Sequence, residues 1–515
     1  MLKDLRKKMK AVKKVFSSLL VLFLMLNQMP LIGKAESNTQ QIGSVKGNSV
    51  NVYSSPKLSS AVAAVLQKGD EYPLIQSAAG DSADAITHKV TSGNTLWKLA
   101  NQYGTSVQEL KMFNGLKNDK ISLGQNIKIP QSVQVHQVIS GDTLWKITNK
   151  YGVTINDITK LNTLKTTQLK IGQKLKIPVY YYEVQLLGGK KGWIKKSHLQ
   201  VKTSKRVVMG WSFNGTSNTY IQQMKNKPNL NVVSPRWFTL SQSESGVTVK
   251  TEPAYTEAAH AAGKKVWPLL GNSFDPVLTD SVIGNSEKRQ KLVSALQSAL
   301  INNKSDGINV DFENIDIKNK QDYVTFIREL KTALKPHGII VSVDVTRSSD
   351  DPFWSGSLDR KELGKIADYV IMMGYDEHWG GGPEAGSVAS LPWVEEGIKL
   401  LMKDVPTHKI ILAVPFYTRE WVTDLSDGKL RSIDRSMAEV NQMISSKGLK
   451  KVWDQKASQY YAEFTENGEK HQLWIEDKKS IELRMKMVKE NHLGGAAAWY
   501  IGSETPDIWD VYHFH

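Results

Sequence analysis

The chain has 515 residues and no cysteine. That excludes disulfide scaffolds, thiol nucleophiles and cysteine-bound zinc. No apolar run reaches the ~20 residues that a membrane-spanning helix needs; the longest, VFSSLLVLFLML at 15–26, falls short. There is no HExxH pair, phosphate-binding loop, Ser-His-Asp signature or nucleic-acid motif, and His378 and His471 lack metal-ligand spacing. Neither a metal ion nor an organic cofactor is implied. Apolar residues make up 40% and charged residues 23%, which argues against a mainly disordered chain. Lys+Arg exceed Asp+Glu by 67 to 51. A basic exported protein suits an anionic wall polymer, whereas basic residues scattered without a motif do not suit nucleic acid.

Much of the excess lies at the start, where Lys3, Arg6, Lys7, Lys8, Lys10, Lys13 and Lys14 precede the apolar run. Gly33-Lys34-Ala35 then offers small residues two apart. A cationic head, a short apolar core and a small-x-small site predict a secretory signal over 1–35, the alternative being an uncleaved anchor. The expected location is outside the cell, on the wall or spore envelope, with membrane contact only through this segment.

Two segments repeat with an offset of 48, at 88–131 and 136–179. The first reads HKVTSGNTLWKLANQYG and ends in IKIP; the second reads HQVISGDTLWKITNKYG and ends in LKIP. Trp97 matches Trp145, Tyr103 matches Tyr151 and Pro130 matches Pro178. Each unit predicts a strand, a Ser-Gly-x-Thr cap, two helices and a strand. Trp97 and Trp145 are expected in the module cores. Both units resemble the LysM module, which implies binding of N-acetylglucosamine-containing glycans such as peptidoglycan or chitin. The resemblance places the groove at Gly93, Asn94, Thr95 and Leu96, and at Gly141, Asp142, Thr143 and Leu144. The leucines and loop backbone are expected to meet the sugar.

The flanks, 40–80 and 180–203, alternate polar and apolar residues around glycine turns, as short strands do. Asn51-Val52-Tyr53-Ser54-Ser55-Pro56 resembles the opening of a bacterial SH3-like domain, and Gly192-Trp193-Ile194 its ending. The expectation is one small β-barrel split by both LysM modules, insertions being tolerated at loop tips; two unrelated hairpin linkers are the alternative.

Across 205–512, candidate strands at 207–211, 232–238, 266–270, 307–313, 339–345, 369–374, 410–415 and 494–499 alternate with helical stretches such as 287–302 and 320–335. The predicted fold class is α/β, a (β/α)8 barrel. Its chemistry should sit at the C-terminal ends of the strands. The fourth strand carries Asn309, Asp311 and Glu313 on one face and Ile308, Val310 and Phe312 on the other. An inward polar row is costly unless it acts, and two carboxyls so close favour a raised pKa in one.

Asp306-Gly-Ile-Asn309-Val-Asp311-Phe-Glu313 resembles the signature of glycoside hydrolase family 18. Met373-Gly374-Tyr375-Asp376, Pro415-Phe416-Tyr417-Thr418-Arg419 and Gly494-Gly495 through Trp499 resemble its sixth, seventh and eighth strand ends. The resemblance implies substrate-assisted cleavage. Glu313 would be the acid, Asp311 would hold the acetamido N–H, and Tyr375 would donate to the acetamido oxygen. Asp306, Asn309, Asp376, Tyr417, Arg419, Trp499 and Trp211 would surround the sugar, with Trp499 as its floor. Asn309 departs from the Asp usual in the family, and Asn309→Asp is expected to keep activity. With Asn at this position the segment resembles the spore cortex-lytic N-acetylglucosaminidase branch. A chitinase and a non-catalytic glycan-binding protein are the competing readings.

Between Arg419 and Gly494, Trp453, Tyr460, Tyr461, Trp474 and Glu476 suggest an α+β insertion. Trp474 and Glu476 are readable as cleft residues or as core packing and a surface charge. Trp211, Trp237, Trp379 and Trp421 fall near strand ends, and about half of them are expected to line the cleft.

Overall fold

The computed structural model describes residues 38–56, 60–79, 86–102, 107–129, 133–213, 217–225, 227 and 229–512. The expected export segment 1–35, Tyr103 and Pro130 lie outside the described residues. No helix among the described residues is long and apolar enough to cross a membrane.

Eight parallel strands close into a barrel: β1 (Val207–Ser212), β2 (Val232–Leu240), β3 (Leu269–Gly271), β4 (Gly307–Asp311), β5 (Ile340–Val345), β6 (Tyr369–Met373), β7 (Ile410–Pro415) and β8 (Gly495–Trp499). β1 pairs with both β2 and β8, which leaves no open edge. All eight predicted strands are present. β3 starts late because Pro268, with no N–H for the ladder, separates it from a two-residue strand at Lys265–Val266. β4 ends at Asp311, so Glu313 stands two residues beyond the strand.

Alternation along the strands divides two layers. Val207, Met209, Trp211, Leu269, Ile371, Ile411 and Ala413 fill the barrel interior. Ile308, Val310 and Phe312 face outward into the layer beneath the helices. The helix Lys320–Leu334 buries Tyr323, Phe326, Ile327 and Leu330 at helical spacing, and Phe326 stacks on Phe312 with ring centroids 5.7 Å apart. β8 fits between β1 and β7 because its first residue is glycine: a Cβ at Gly495 would lie 2.0 Å from the Val207 carbonyl oxygen.

After β7 the chain runs from Tyr417–Asp424 into a five-stranded antiparallel sheet that also carries the helix Met437–Ser446. This is the expected α+β insertion. Glu476 within it is neither a cleft residue nor a surface charge. It is buried and paired with Arg484 Nη1 at 2.9 Å, because the helix Lys478–Glu490 brings that guanidinium under the sheet. Trp474 donates from Nε1 to Asp454 at 3.1 Å and packs on Tyr461.

The two flanks of the repeats form one seven-stranded sheet. Thr39–Val45 pairs along its length with Leu199–Lys205, and Glu71–Ala79 pairs with Tyr180–Gln185. Val45, Val52, Leu66, Val184, Ile194 and Leu199 pack in its core. Both repeats leave from between Glu71–Ala79 and Tyr180–Gln185. Each has the predicted strand, two helices and strand, with the strands paired antiparallel.

The expectation of core tryptophans is corrected here. Trp97 and Trp145 are 65% and 66% exposed. Leu96, Leu99 and Ala100 line the buried side of the first helix, and Leu144, Ile147 and Thr148 that of the second. A residue one step after a buried leucine is turned by ~100° about a helix of 3.6 residues per turn, so each tryptophan faces solvent.

Candidate active site

Three strand ends supply the acidic centre. Asp311 closes β4 and is partly accessible from the barrel mouth, and Glu313 follows it. β4 and β5 are in register, Asn309 beside Ser342 and Val310 beside Val343, so the next inward pair is Asp311 and Asp344. Tyr375 follows β6.

Glu313 is held by its backbone. Asn272, just after β3, donates from Nδ2 to the Glu313 carbonyl at 2.7 Å and accepts the Glu313 N–H at 3.1 Å. The Asn272 amide also donates to Thr279 Oγ1 at 2.9 Å, and the residue is buried.

Burial, then the charges of Asp311 and Asp376, pushes the Glu313 carboxyl well above the usual carboxylate range. Burial also pushes Asp311 up, to about 6, against the opposing influence of Arg236 and a hydrogen bond from Asp344. Asp344 is raised too, by burial and by Asp311. Burial raises the Tyr375 phenol, reinforced by Asp311, Asp344 and Glu313. A carboxyl raised by burial and by an anionic neighbour is suited to the chemistry of a general acid.

Around this centre, Tyr417 donates its hydroxyl to Asp376 at 2.9 Å, and Arg419 Nη1 donates to the same carboxylate oxygen at 2.9 Å. Arg419 also binds Asp434 and the His378 carbonyl. Asp376 has φ 63°, a left-handed conformation that these contacts hold in place. Trp499, at the end of β8, is partly exposed and packs edge-on against Trp211 with ring centroids 5.7 Å apart.

The mouth therefore collects Asp311, Glu313, Tyr375, Asp376, Tyr417, Arg419 and Trp499. Asp306 is not there. It precedes β4 at the opposite end of the strand, roughly 20 Å from Glu313 at ~3.3 Å per residue. There it accepts the Val266 N–H at 2.9 Å, with Lys265 as ion-pair partner and His260 Nε2 at 2.8 Å. These hydrogen bonds overcome burial and hold its carboxyl below the usual range. Through these contacts it ties the start of β4 to the Lys265–Val266 strand, away from the barrel mouth.

Asn309 and Trp211 are corrected as well, since they are 0% and 1% exposed. Trp211 donates from Nε1 to Asn309 Oδ1 at 2.8 Å, so both form a layer beneath the site. Of the other strand-end tryptophans, Trp237 and Trp421 are buried packing and Trp379 is exposed. The residues missed in the sequence are Asp344 and Asn272. Ser342 and Asp344 alternate inward on β5 as Asn309 and Asp311 do on β4, and that alternation was the available signal.

In the repeats, Leu96 and Leu144 are buried in the module cores, which removes their side chains from any surface ligand. Asn94 Oδ1 accepts the Thr91 N–H at 2.9 Å, and Asp142 Oδ2 accepts the Ile139 N–H at 2.9 Å. Each bonds back to its own turn, beside His88 and His136. Thr95 and Thr143 accept from the Lys98 and Lys146 N–H groups at the helix starts. Gly93 and Gly141 both have φ 83°, which the turn requires.

A model of glycosyl hydrolases family 18 matches residues 242–504, just over half of the chain. The chain belongs to this family. LysM domains match at 88–130 and 136–178. The family 18 chain is 27% identical over 309 residues to the uncharacterized glycosylase YvbX of Bacillus subtilis, covering 57% of this chain and 87% of that one. It is 27% identical over 270 residues to the cortical fragment-lytic enzyme of Bacillus cereus, covering 50% of this chain and 62% of the relative. The crystal structure of the Bacillus cereus spore cortex-lytic enzyme SleL superposes with a TM-score of 0.55 at 23% identity, over 83% of this chain and 97% of that one. That last likeness is one of fold.

Proposed function

We propose that this family 18 hydrolase is an exported peptidoglycan N-acetylglucosaminidase that cleaves the β-1,4 bond after N-acetylglucosamine with retention. The observation that carries the reading is Glu313, a carboxyl raised by burial and by Asp311, at the open end of the barrel.

Glu313 protonates the glycosidic oxygen. The 2-acetamido oxygen of the substrate attacks the anomeric carbon, giving an oxazolinium. Asp311 accepts the acetamido N–H; its Oδ1 has no partner among the described residues, so acceptor capacity is to spare. Tyr375 donates to the acetamido oxygen, and Trp499 offers its partly exposed ring to the sugar. Tyr417 and Arg419 position Asp376 beside them. Glu313 then takes a proton from water, which opens the oxazolinium.

The paired modules would hold the enzyme on its polymer, two weak contacts on one chain gaining from effective concentration. Peptidoglycan is favoured over chitin by the LysM domains together with relatives named for cortex lysis. The seven-stranded sheet is read as a split SH3-like domain whose loop carries both modules, and 1–35 as the export signal.

The test is digestion of purified peptidoglycan, borohydride reduction and mass spectrometry of the new ends, with Glu313→Gln alongside. Reduced N-acetylglucosamine ends that vanish in the variant are expected. Reduced muramic acid ends would assign the cleavage to the other bond. No new ends from vegetative wall, cortex or chitin would leave a glycan-binding protein.

A further inference from the structure

Asp344 is 2% exposed and lies deep in the barrel beneath the reacting groups. Among the described residues no cationic side chain pairs with it. Its Oδ1 accepts Asn309 Nδ2–H at 2.7 Å, and the β4–β5 register sets its carboxyl beside that of Asp311. Two carboxyls set side by side away from water repel unless a proton lies between them. Asn309 cannot supply it, because its Oδ1 is engaged by Trp211 Nε1 and its amide donates to Asp344 and Ser342.

We infer that Asp344 is the proton-holding partner of Asp311, a positioning residue that relays charge away from Glu313 during the reaction. The inference rests on the proposed glycosidase reading. In the resting site the proton sits on Asp344, and Asp311 is an anion that helps Glu313 keep its own proton. When Glu313 gives that proton to the leaving oxygen, two carboxylates would stand side by side. The proton then moves from Asp344 to Asp311. The negative charge passes to Asp344, where the Asn309 amide holds it. Reprotonation of Glu313 from water reverses the shift. No other reagent is consumed.

The groups facing Asp344 are Asp311 at the end of β4, Glu313 just beyond it, Tyr375 after β6 and Tyr323 from the helix Lys320–Leu334, with Arg236 on β2 acting on Asp311. Tyr323 is buried, and its hydroxyl has no partner among the described residues. Only Arg236 is cationic, and it acts on Asp311, so the Asn309 amide alone favours the charged form of Asp344 against burial and its acidic neighbours.

The test compares wild type, Asp344→Asn and the exchange Asn309→Asp/Asp344→Asn. Asp344→Asn keeps both hydrogen bonds in place, accepting from Asn309 and donating to Asp311, but cannot release a proton. A purely structural role would leave it active. A relay predicts a kcat loss of ~10–100-fold with KM nearly unchanged and an altered acid limb of the pH profile. The exchange restores a carboxyl beside Asp311 and is expected to recover most of the rate. Wild-type kcat and pH dependence in Asp344→Asn would overturn the inference, as would an exchange variant no faster than the single one. Infrared spectra of substrate-free protein judge the proton apart from activity. The carbonyl stretch of a protonated carboxyl should persist at neutral pH in wild type and weaken in Asp344→Asn. Its absence from wild type overturns the assignment, even if the folded variant cannot be obtained. Should wild type leave peptidoglycan intact while the band behaves as expected, the glycosidase reading fails and the shared proton stands.

Discussion

Asn272 and Glu313 are joined by a reciprocal pair of hydrogen bonds, Nδ2–H to the Glu313 carbonyl at 2.7 Å and the Glu313 N–H to Oδ1 at 3.1 Å. Glu313 lies beyond the end of β4, where no ladder holds its backbone. The amide of Asn272 replaces that ladder, and Thr279 fixes the amide in turn.

Asn272→Ala is expected to lower kcat by ~10-fold or more, because a small displacement of an acid from its leaving oxygen is costly in rate. KM should change little, since Asn272 touches no sugar in the proposed mechanism. Steady-state kinetics beside circular dichroism check this; unchanged kcat with intact folding would refute it.

The raised carboxyls set the sign of the pH dependence. Glu313 acts as acid only while protonated, so kcat should fall on the alkaline side as its proton is lost. Asp311 has its folded-state pKa pushed up to about 6, above the usual carboxylate value of 3.8. Its contribution to stability is therefore full below the usual value and is lost as pH rises through about 6. Thermal melts from acidic to neutral pH should show this decline, and Asp311→Asn should flatten it.

Glu476 and Arg484 are a buried ion pair, further tied by Gln459 and Ser480. Removing one partner strands the other. Arg484→Met should therefore destabilise by about 3–5 kcal/mol, and the joint replacement Glu476→Leu/Arg484→Met by clearly less. Calorimetry of the barrel transition measures both.

Trp97→Ala and Trp145→Ala should change module stability by less than about 0.5 kcal/mol, because both rings are exposed. Leu99→Ala should cost about 2–5 kcal/mol. If the tryptophans face the glycan, the double tryptophan variant will sediment less with insoluble peptidoglycan while its melting temperature is unchanged. Equal sedimentation would remove them from the binding surface.

The barrel was legible because parallel strands buried on both faces leave apolar runs, and the LysM repeats because period and capping residues recur twice. Asp311 and Glu313 could be placed from alternation alone. Asp306 could not: it lies on the same motif, yet seven residues of extended chain carry it to the far end of the strand. Burial also escaped the sequence. Trp97 reads as a core residue by type but stands on the wet side of a short helix, while Trp211 at a strand end is sealed beneath Trp499.

The sequence by itself determined the elements, their order and the residues that alternate inward along one strand, because these depend on local spacing. Which inward residues meet across strands was decided only by the tertiary structure. The β4–β5 register brings Asp344 to Asp311 and the β3–β4 register brings Asn272 to Glu313, pairs of residues 33 and 41 positions apart. Electrostatics followed from the same step. A carboxyl has its ordinary pKa in an extended chain, and only the packed barrel removes the water that favours the ionised form of Glu313.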